Sequence, residues 1–201
     1  MSEIENKFNW QKEPFELVEG QIKNLMEEVL TEEQIILLTK WGYFTAPASS
    51  SKSKHNAFKG GLAVHSLNVV SWMLKYNQDY NLGLKREHII LSGLLHDLGK
   101  TGDYQENILK NGTQSGAMPF KKKPVMMIPH QFSAVYLSQE LGLKLSVPVV
   151  TAITYHMGFS ENDILYNMPH LKQLPYDLML VLCLQFADQW ATWVTEPVLE
   201  E

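Results

Sequence analysis

Cysteine is almost absent: the single Cys183 among 201 residues excludes an internal disulfide framework and leaves too few thiols for a Cys-rich zinc site. Any metal must therefore be held by histidine and carboxylate. There is no basic surplus, since 17 Lys and Arg against 22 Asp and Glu give a net charge of −5, so nothing advertises a duplex-DNA-binding surface. Nucleic acid as a small substrate is left open. Apolar runs long enough to span a bilayer, about 20 residues, are missing too, and the stretch from Met1 to Lys12 is polar and acidic. The chain reads as soluble and cytoplasmic, without a membrane partner. It also lacks a Gly-rich phosphate loop, a Rossmann pattern, an internal repeat and any period-two alternation of strand length.

What is present is helical periodicity over enough apolar residues, 45% of the chain, to build one domain with a substantial core. From Pro14 to Leu30, Val18, Ile22, Leu25, Met26 and Val29 recur at three- and four-residue spacings. Thr31 with Gln34 fits a capping box for a second helix, ended by Gly42. Thr45 to Lys59 is a polar loop. Further helices are expected over Leu62 to Tyr76, Lys85 to Leu98, Pro129 to Leu141, Val147 to Met157 and Pro175 to Val194. Gly99 to Pro129, rich in Gly and Pro, reads as a second loop. The fold class is thus all-α, with six to eight helices. Residues 1–45 are expected as a helical extension packed on a core domain over 46–195, and 196–201 as an acidic tail.

Seven histidines occur, and three lie on apolar helices: His65 in Leu62-Ala63-Val64-His65, His96 in Leu94-Leu95-His96-Asp97, and His156 in Ile153-Thr154-Tyr155-His156. A buried polar side chain needs partners, because unpaired burial costs about 1–3 kcal/mol. Asp188, in Phe186-Ala187-Asp188, poses the same problem with a charge. Singly, each histidine could be a hydrogen-bonded core residue, and Asp188 an internal cap or the partner of an arginine, of which the chain has only Arg86. Together they can surround a cation, since neutral imidazole and carboxylate are good ligands for Zn, Fe or Mn. The adjacent pair His96-Asp97 weighs most, because both residues of one buried helix end would otherwise have to be satisfied by coincidence.

Gly60-Gly61-Leu62-Ala63-Val64-His65-Ser66, then Leu94-Leu95-His96-Asp97-Leu98-Gly99-Lys100, then Ala187-Asp188 resemble the successive signatures of the HD-domain superfamily of metal-dependent phosphohydrolases. The resemblance spans about Ala46 to Trp190. It implies an all-α HD-domain bundle with the metal site between core helices, and His65, His96, Asp97 and Asp188 as ligands of a first ion. Pro129-His130-Gln131-Phe132-Ser133 and Ile153-Thr154-Tyr155-His156 resemble the added histidines of members that bind two metals, which implies His130 and His156 on a second ion and Asp97 bridging both. The Gly-Tyr-Pro tripeptide of the cyclic-dinucleotide phosphodiesterases is lacking. Phe44-Thr45-Ala46-Pro47-Ala48 and Lys54-His55-Asn56-Ala57-Phe58-Lys59-Gly60-Gly61-Leu62 resemble the entry to the HD domain of bacterial 3′-to-5′ exoribonucleases, with Lys54 in place of the first histidine of a pair. The oligonucleotide-binding barrel of those enzymes has no counterpart in the first 45 residues.

The resemblance implies two divalent ions (Mn, Fe or Zn) about 3.5–4 Å apart, sharing a hydroxide that attacks the phosphorus of a nucleotide or short nucleic-acid phosphoester. Asp97 and Lys100 are the expected catalytic residues, and Lys54, His55 and Lys100 the expected contacts to substrate phosphate. Lys121 to Lys123 reads as a steering charge or as a solvated loop, and Trp41, Tyr43, Phe44 and Phe58 as core or as a base-stacking aromatic. His88 and His170 match no motif. Two other readings stay open: a mixed-valent diiron oxygenase using the same six ligands, and a regulatory module that binds a nucleotide without turnover.

Overall fold

The computed structural model of the chain describes residues 15–123, 125–161, 163 and 167–196. Pro14 and the expected tail beyond Glu196 lie outside them. Helix α1 (Phe15–Glu27) buries Val18, Ile22 and Met26, four residues apart along one face. The capping box forms as written: the Gln34 N–H donates to the Thr31 hydroxyl at 3.4 Å, and the Thr31 N–H donates to Gln34 Oε1 at 2.9 Å. It opens α2 (Glu32–Trp41), which Gly42 closes in the left-handed region at φ 89°.

The loop that follows is folded back on the start of α3 (Gly61–Asp79). A Cβ on Gly61 would sit 2.1 Å from the Asn56 carbonyl oxygen, so only glycine lets the loop pass this close. That approach brings His55 beside the first buried turn of α3. From Gly61 to Val70 every residue of α3 is buried, which makes it the central helix. Against it pack α1, α4 (Arg86–Leu95) and α8 (Pro175–Trp190); α5 (His130–Glu140) and α6 (Val147–Tyr155) pack on α4 and on each other, α6 also on α8, and there is a one-turn α7 (Met168–Leu171) that the periodicity does not reveal.

Two stretches differ from expectation. The region after Gly99 is not all loop: a 3₁₀ turn (Leu98–Lys100) leads into an antiparallel ribbon of β1 (Tyr104–Glu106) and β2 (Phe120–Lys122), with Gln105 opposite Lys121. Strands of three residues with only Phe120 buried carry no readable alternation. The second difference is at Glu196, expected to begin the acidic tail. After α8 the chain makes a π-helical turn (Ala191–Thr195), in which the Glu196 N–H donates to the Ala191 carbonyl at 2.8 Å, and Glu196 is 1% exposed. Its carboxylate has buried partners, described below, that a solvated tail would not offer. Among the described residues no helix is long and apolar enough to cross a membrane.

Candidate metal centre

Five separate segments deliver the six residues singled out by sequence. His65 comes from the second turn of α3, and His96 and Asp97 from the point where α4 stops, His96 being its C-cap. His130 opens α5, His156 is the C-cap of α6, and Asp188 lies near the end of α8. They converge on Asp97, which is 2% exposed. Its two oxygens face different partners. Oδ2 lies 3.5 Å from His96 Nε2 and 3.8 Å from His65 Nε2, whereas Oδ1 lies 3.3 Å from His130 Nε2 and 3.7 Å from His156 Nε2. His65 Nε2 is also 3.1 Å from Asp188 Oδ1. His65, His96 and Asp97 can each present a ligand atom within 4.8 Å of the others, and so can Asp97, His130 and His156.

The rings are turned so that Nε2 faces this centre. His96 Nδ1 donates to the Gly93 carbonyl at 2.9 Å, and His156 Nδ1 to the Ile153 carbonyl at 2.7 Å. In both cases the acceptor is the residue three back, whose carbonyl the helix end leaves free. With Nδ1 protonated by that bond, Nε2 carries the lone pair. His96 Nε2 and Asp97 Oδ1 are buried without a hydrogen-bond partner, an arrangement that costs free energy unless a ligand satisfies it. A set of imidazole nitrogens and carboxylate oxygens fits a borderline divalent ion such as Zn, Fe or Mn.

The charges are mutually arranged. Burial alone would raise the Asp97 carboxyl, but the Lys100 ammonium, 2.5 Å from Oδ2, and the surrounding imidazoles hold it well below the ordinary range. Burial would likewise raise Asp188; the His65 ring beside it keeps it low. For His65, burial is outweighed by Glu196 and Asp188, which push it up to about 10. His55 goes the other way: burial, with His65 and Lys100 nearby, lowers it to about 3. Its ring lies 4.7 Å from that of His65. His55, expected as a contact to substrate phosphate, thus stands beside the centre with its ring held toward the neutral form.

The centre opens into a cavity of about 590 Å³ whose wall includes Lys54, His55, Lys100, Asp188 and Trp193. Lys54 is exposed at this rim, while the Lys100 side chain is only 18% exposed and pairs with Asp97. Arg86 is committed elsewhere, to a two-bond fork with Glu28 at 2.7 and 2.8 Å. Lys121, Lys122 and Lys123 are exposed on the ribbon and do not line the cavity. Neither do the four aromatics proposed for stacking, of which Tyr43 and Phe44 are core. His88 is bonded to Ser146 and Tyr176, away from the centre.

Comparison with known families agrees with the geometry: the HD domain family matches residues 62–192. The chain belongs to the HD-domain family. No curated protein and no solved structure matches it. The superfamily is one of metal-dependent phosphohydrolases, and the His and Asp groups of this HD domain could hold a metal.

Sequence reasoning missed three participants. Trp193 and Met157, 77% and 62% exposed, form part of the cavity wall and carry no motif. Glu196 lies eight residues past Asp188, which at 3.6 per turn overshoots two turns by about 80°. The π-helical turn, one residue wider, takes up that excess, and nothing in the sequence announces it.

Proposed function

We propose that this HD domain is a two-metal phosphohydrolase that cleaves a phosphoester of a nucleotide or short nucleic acid. The observation that carries the reading is the division of Asp97, one oxygen toward His65 and His96 and the other toward His130 and His156. A carboxylate placed so bridges two cations more readily than it serves one. His65, His96, Asp97 and Asp188 would hold the first ion, and Asp97, His130 and His156 the second. Ions held by these residues would supply hydroxide at neutral pH and would neutralise charge on the phosphoryl oxygens.

The chain's own residues do the rest. Asp97 orients both His groups around one point. Lys100, in the cavity wall and already beside Asp97, is close enough to the reacting centre to put its ammonium on a phosphoryl oxygen. Lys54 at the rim adds a second cation for a neighbouring phosphate. His55, held neutral, offers a hydrogen bond without charge. On the other side of the mouth, the exposed indole of Trp193 and the Met157 side chain present flat and polarisable surface suited to a base.

The test is an anaerobic screen of dNTPs, cyclic nucleotides and short oligonucleotides with protein repleted with Mn, Fe or Zn. Release of phosphate or nucleotide, lost on chelation and restored by metal, is the expected result. No hydrolysis of any member of the panel, with oxygen uptake by the iron-loaded protein when the same panel is run in air, would replace the reading with the oxygenase. Nucleotide binding without turnover would replace it with the regulatory module.

A further inference from the structure

His96 and His156 fix their tautomers with the free carbonyls of helix ends. His65 cannot, because it lies within α3 and the carbonyls around it are used by the helix itself. An acceptor for its Nδ1 has to come from elsewhere in the chain. The acceptor is Glu196, 131 residues later: Oε2 lies 3.1 Å from His65 Nδ1. The other oxygen, Oε1, accepts from Asn68 Nδ2 at 2.6 Å, and Asn68 is one turn along the same face of α3. Burying a carboxylate here carries a desolvation cost, which the structure offsets with a charged or polar partner for each oxygen.

We propose that Glu196 is a positioning residue that holds His65 with its proton on Nδ1 and so delivers the Nε2 lone pair to the ion shared with His96 and Asp97. The assignment rests on the metal-binding reading above. Glu196 approaches the Nδ1 edge of the ring, whereas Asp97 and Asp188 face Nε2, so Glu196 acts through His65 from behind. The π-helical turn is the device that brings it there, through the bond from the Glu196 N–H to the Ala191 carbonyl.

A carboxylate gives each of the two donors, Asn68 Nδ2 and His65 Nδ1, an oxygen of its own and sets a negative charge beside the ring. In a Glu196→Gln variant the charge is lost and the amide nitrogen takes the place of one oxygen. Turned toward His65, it would make Nδ1 an acceptor and place the ring proton on Nε2, the tautomer that cannot ligate. Outer-shell partners of metal-bound histidine are worth about tenfold to a hundredfold in metal affinity.

The experiment uses zinc as a diamagnetic probe and the full chain. Zinc affinity is measured for the wild type and for Glu196→Gln across a range of pH, which separates proton competition at His65 from loss of the oriented lone pair. Imidazole ¹⁵N shifts of the zinc-loaded wild type report which His65 nitrogen carries the proton. Expected are a proton on His65 Nδ1, a zinc bond at Nε2, and a tenfold or greater weakening in Glu196→Gln at every pH with an unchanged far-UV spectrum. Wild-type affinity in Glu196→Gln overturns the proposal. An unprotonated Nδ1 in the wild type overturns it even where the variant fails to fold. So does a Glu196→Ala protein that binds fewer ions at saturating zinc, since Glu196 would then be a ligand itself. If the wild type takes up no zinc, the reading beneath the proposal falls with it; if the wild type binds normally and the variant matches it, only the proposal falls.

Discussion

Gly99 separates the position of His130 from its chemistry. It lies on the 3₁₀ turn after Asp97, against the first turn of α5, and a Cβ there would stand 2.1 Å from the His130 carbonyl oxygen and 2.6 Å from Ser133 Oγ. An ordinary C···O contact is about 3.3–3.6 Å, so Gly99→Ala must part the two backbones by over ~1 Å. Gly99 is not among the glycines with positive φ, so alanine brings no backbone strain of its own. His130 Nε2 sits 3.3 Å from Asp97 Oδ1, and metal–ligand lengths tolerate about 0.2 Å. A displacement of that size carries His130 out of range while leaving His65, His96 and Asp188 on other elements. The expected result is loss of one ion of two after dialysis and repletion, measured by elemental analysis. Overpacking should also cost about 1–3 kcal/mol, which for a chain of this length lowers the melting temperature by about 2–12 °C. Gly20→Ala, on α1 with nothing within 4 Å of the new Cβ, is the control: unchanged metal content and a slightly higher melting temperature. A Gly99→Ala protein that keeps both ions at wild-type affinity would refute the placement of His130 in the centre.

Asp97→Ala should abolish binding of both ions, read as metal content near zero after repletion with Mn, Fe or Zn; retained metal with turnover would contradict the bridge. His130→Ala and His156→Ala should each lose one ion of two, and a wild-type stoichiometry of one, unchanged by either, would leave a mononuclear site. His55 is about 3 folded against 6.5 for the free side chain, so between those values the unfolded chain binds a proton that the folded chain refuses. Stability contributed by neutral His55 is therefore present above pH 6.5 and lost as pH falls toward 3; the urea midpoint of His55→Gln should fall less steeply over that window, and equal slopes would count against it. Trp193→Ala should weaken KM for base-bearing substrates by about fivefold to a hundredfold, the equivalent of one stacked base at ~1–3 kcal/mol, and leave a base-free phosphoester unaffected.

How much of this was legible in the sequence depended on the range of the signal. Thr31, Gln34 and Gly42 act within a few residues of themselves, and α2 begins and ends where they stand. The His96-Asp97 pair was readable because two adjacent buried polar residues carry more polar atoms than their local partners satisfy, His96 Nε2 and Asp97 Oδ1 being left over. Failures came where the deciding partner is distant. Glu196 looks like the start of an acidic tail until its carboxylate meets His65 and Asn68 more than a hundred residues earlier. The surroundings of His55 are likewise set at a distance, since Gly61 lets its loop close over α3 and brings its ring to 4.7 Å from that of His65. The ribbon was lost because three-residue strands are shorter than the window that reveals period two.

The three buried histidines show one constraint met in two ways. A ring that is to ligate through Nε2 needs an acceptor for its Nδ1 proton, and a helix end needs donors for its last carbonyls. At His96 and His156 the two needs cancel, each ring donating to the carbonyl three residues back. These helix ends also turn the negative pole of the dipole toward the centre, which favours a cation there. Where the histidine lies inside a helix, as His65 does, neither advantage is available. The chain supplies a carboxylate instead, and with it the negative charge that a helix end would have provided. Glu196 thus stands in for a helix C-terminus, and the π-helical turn after α8 is the local distortion that places it there.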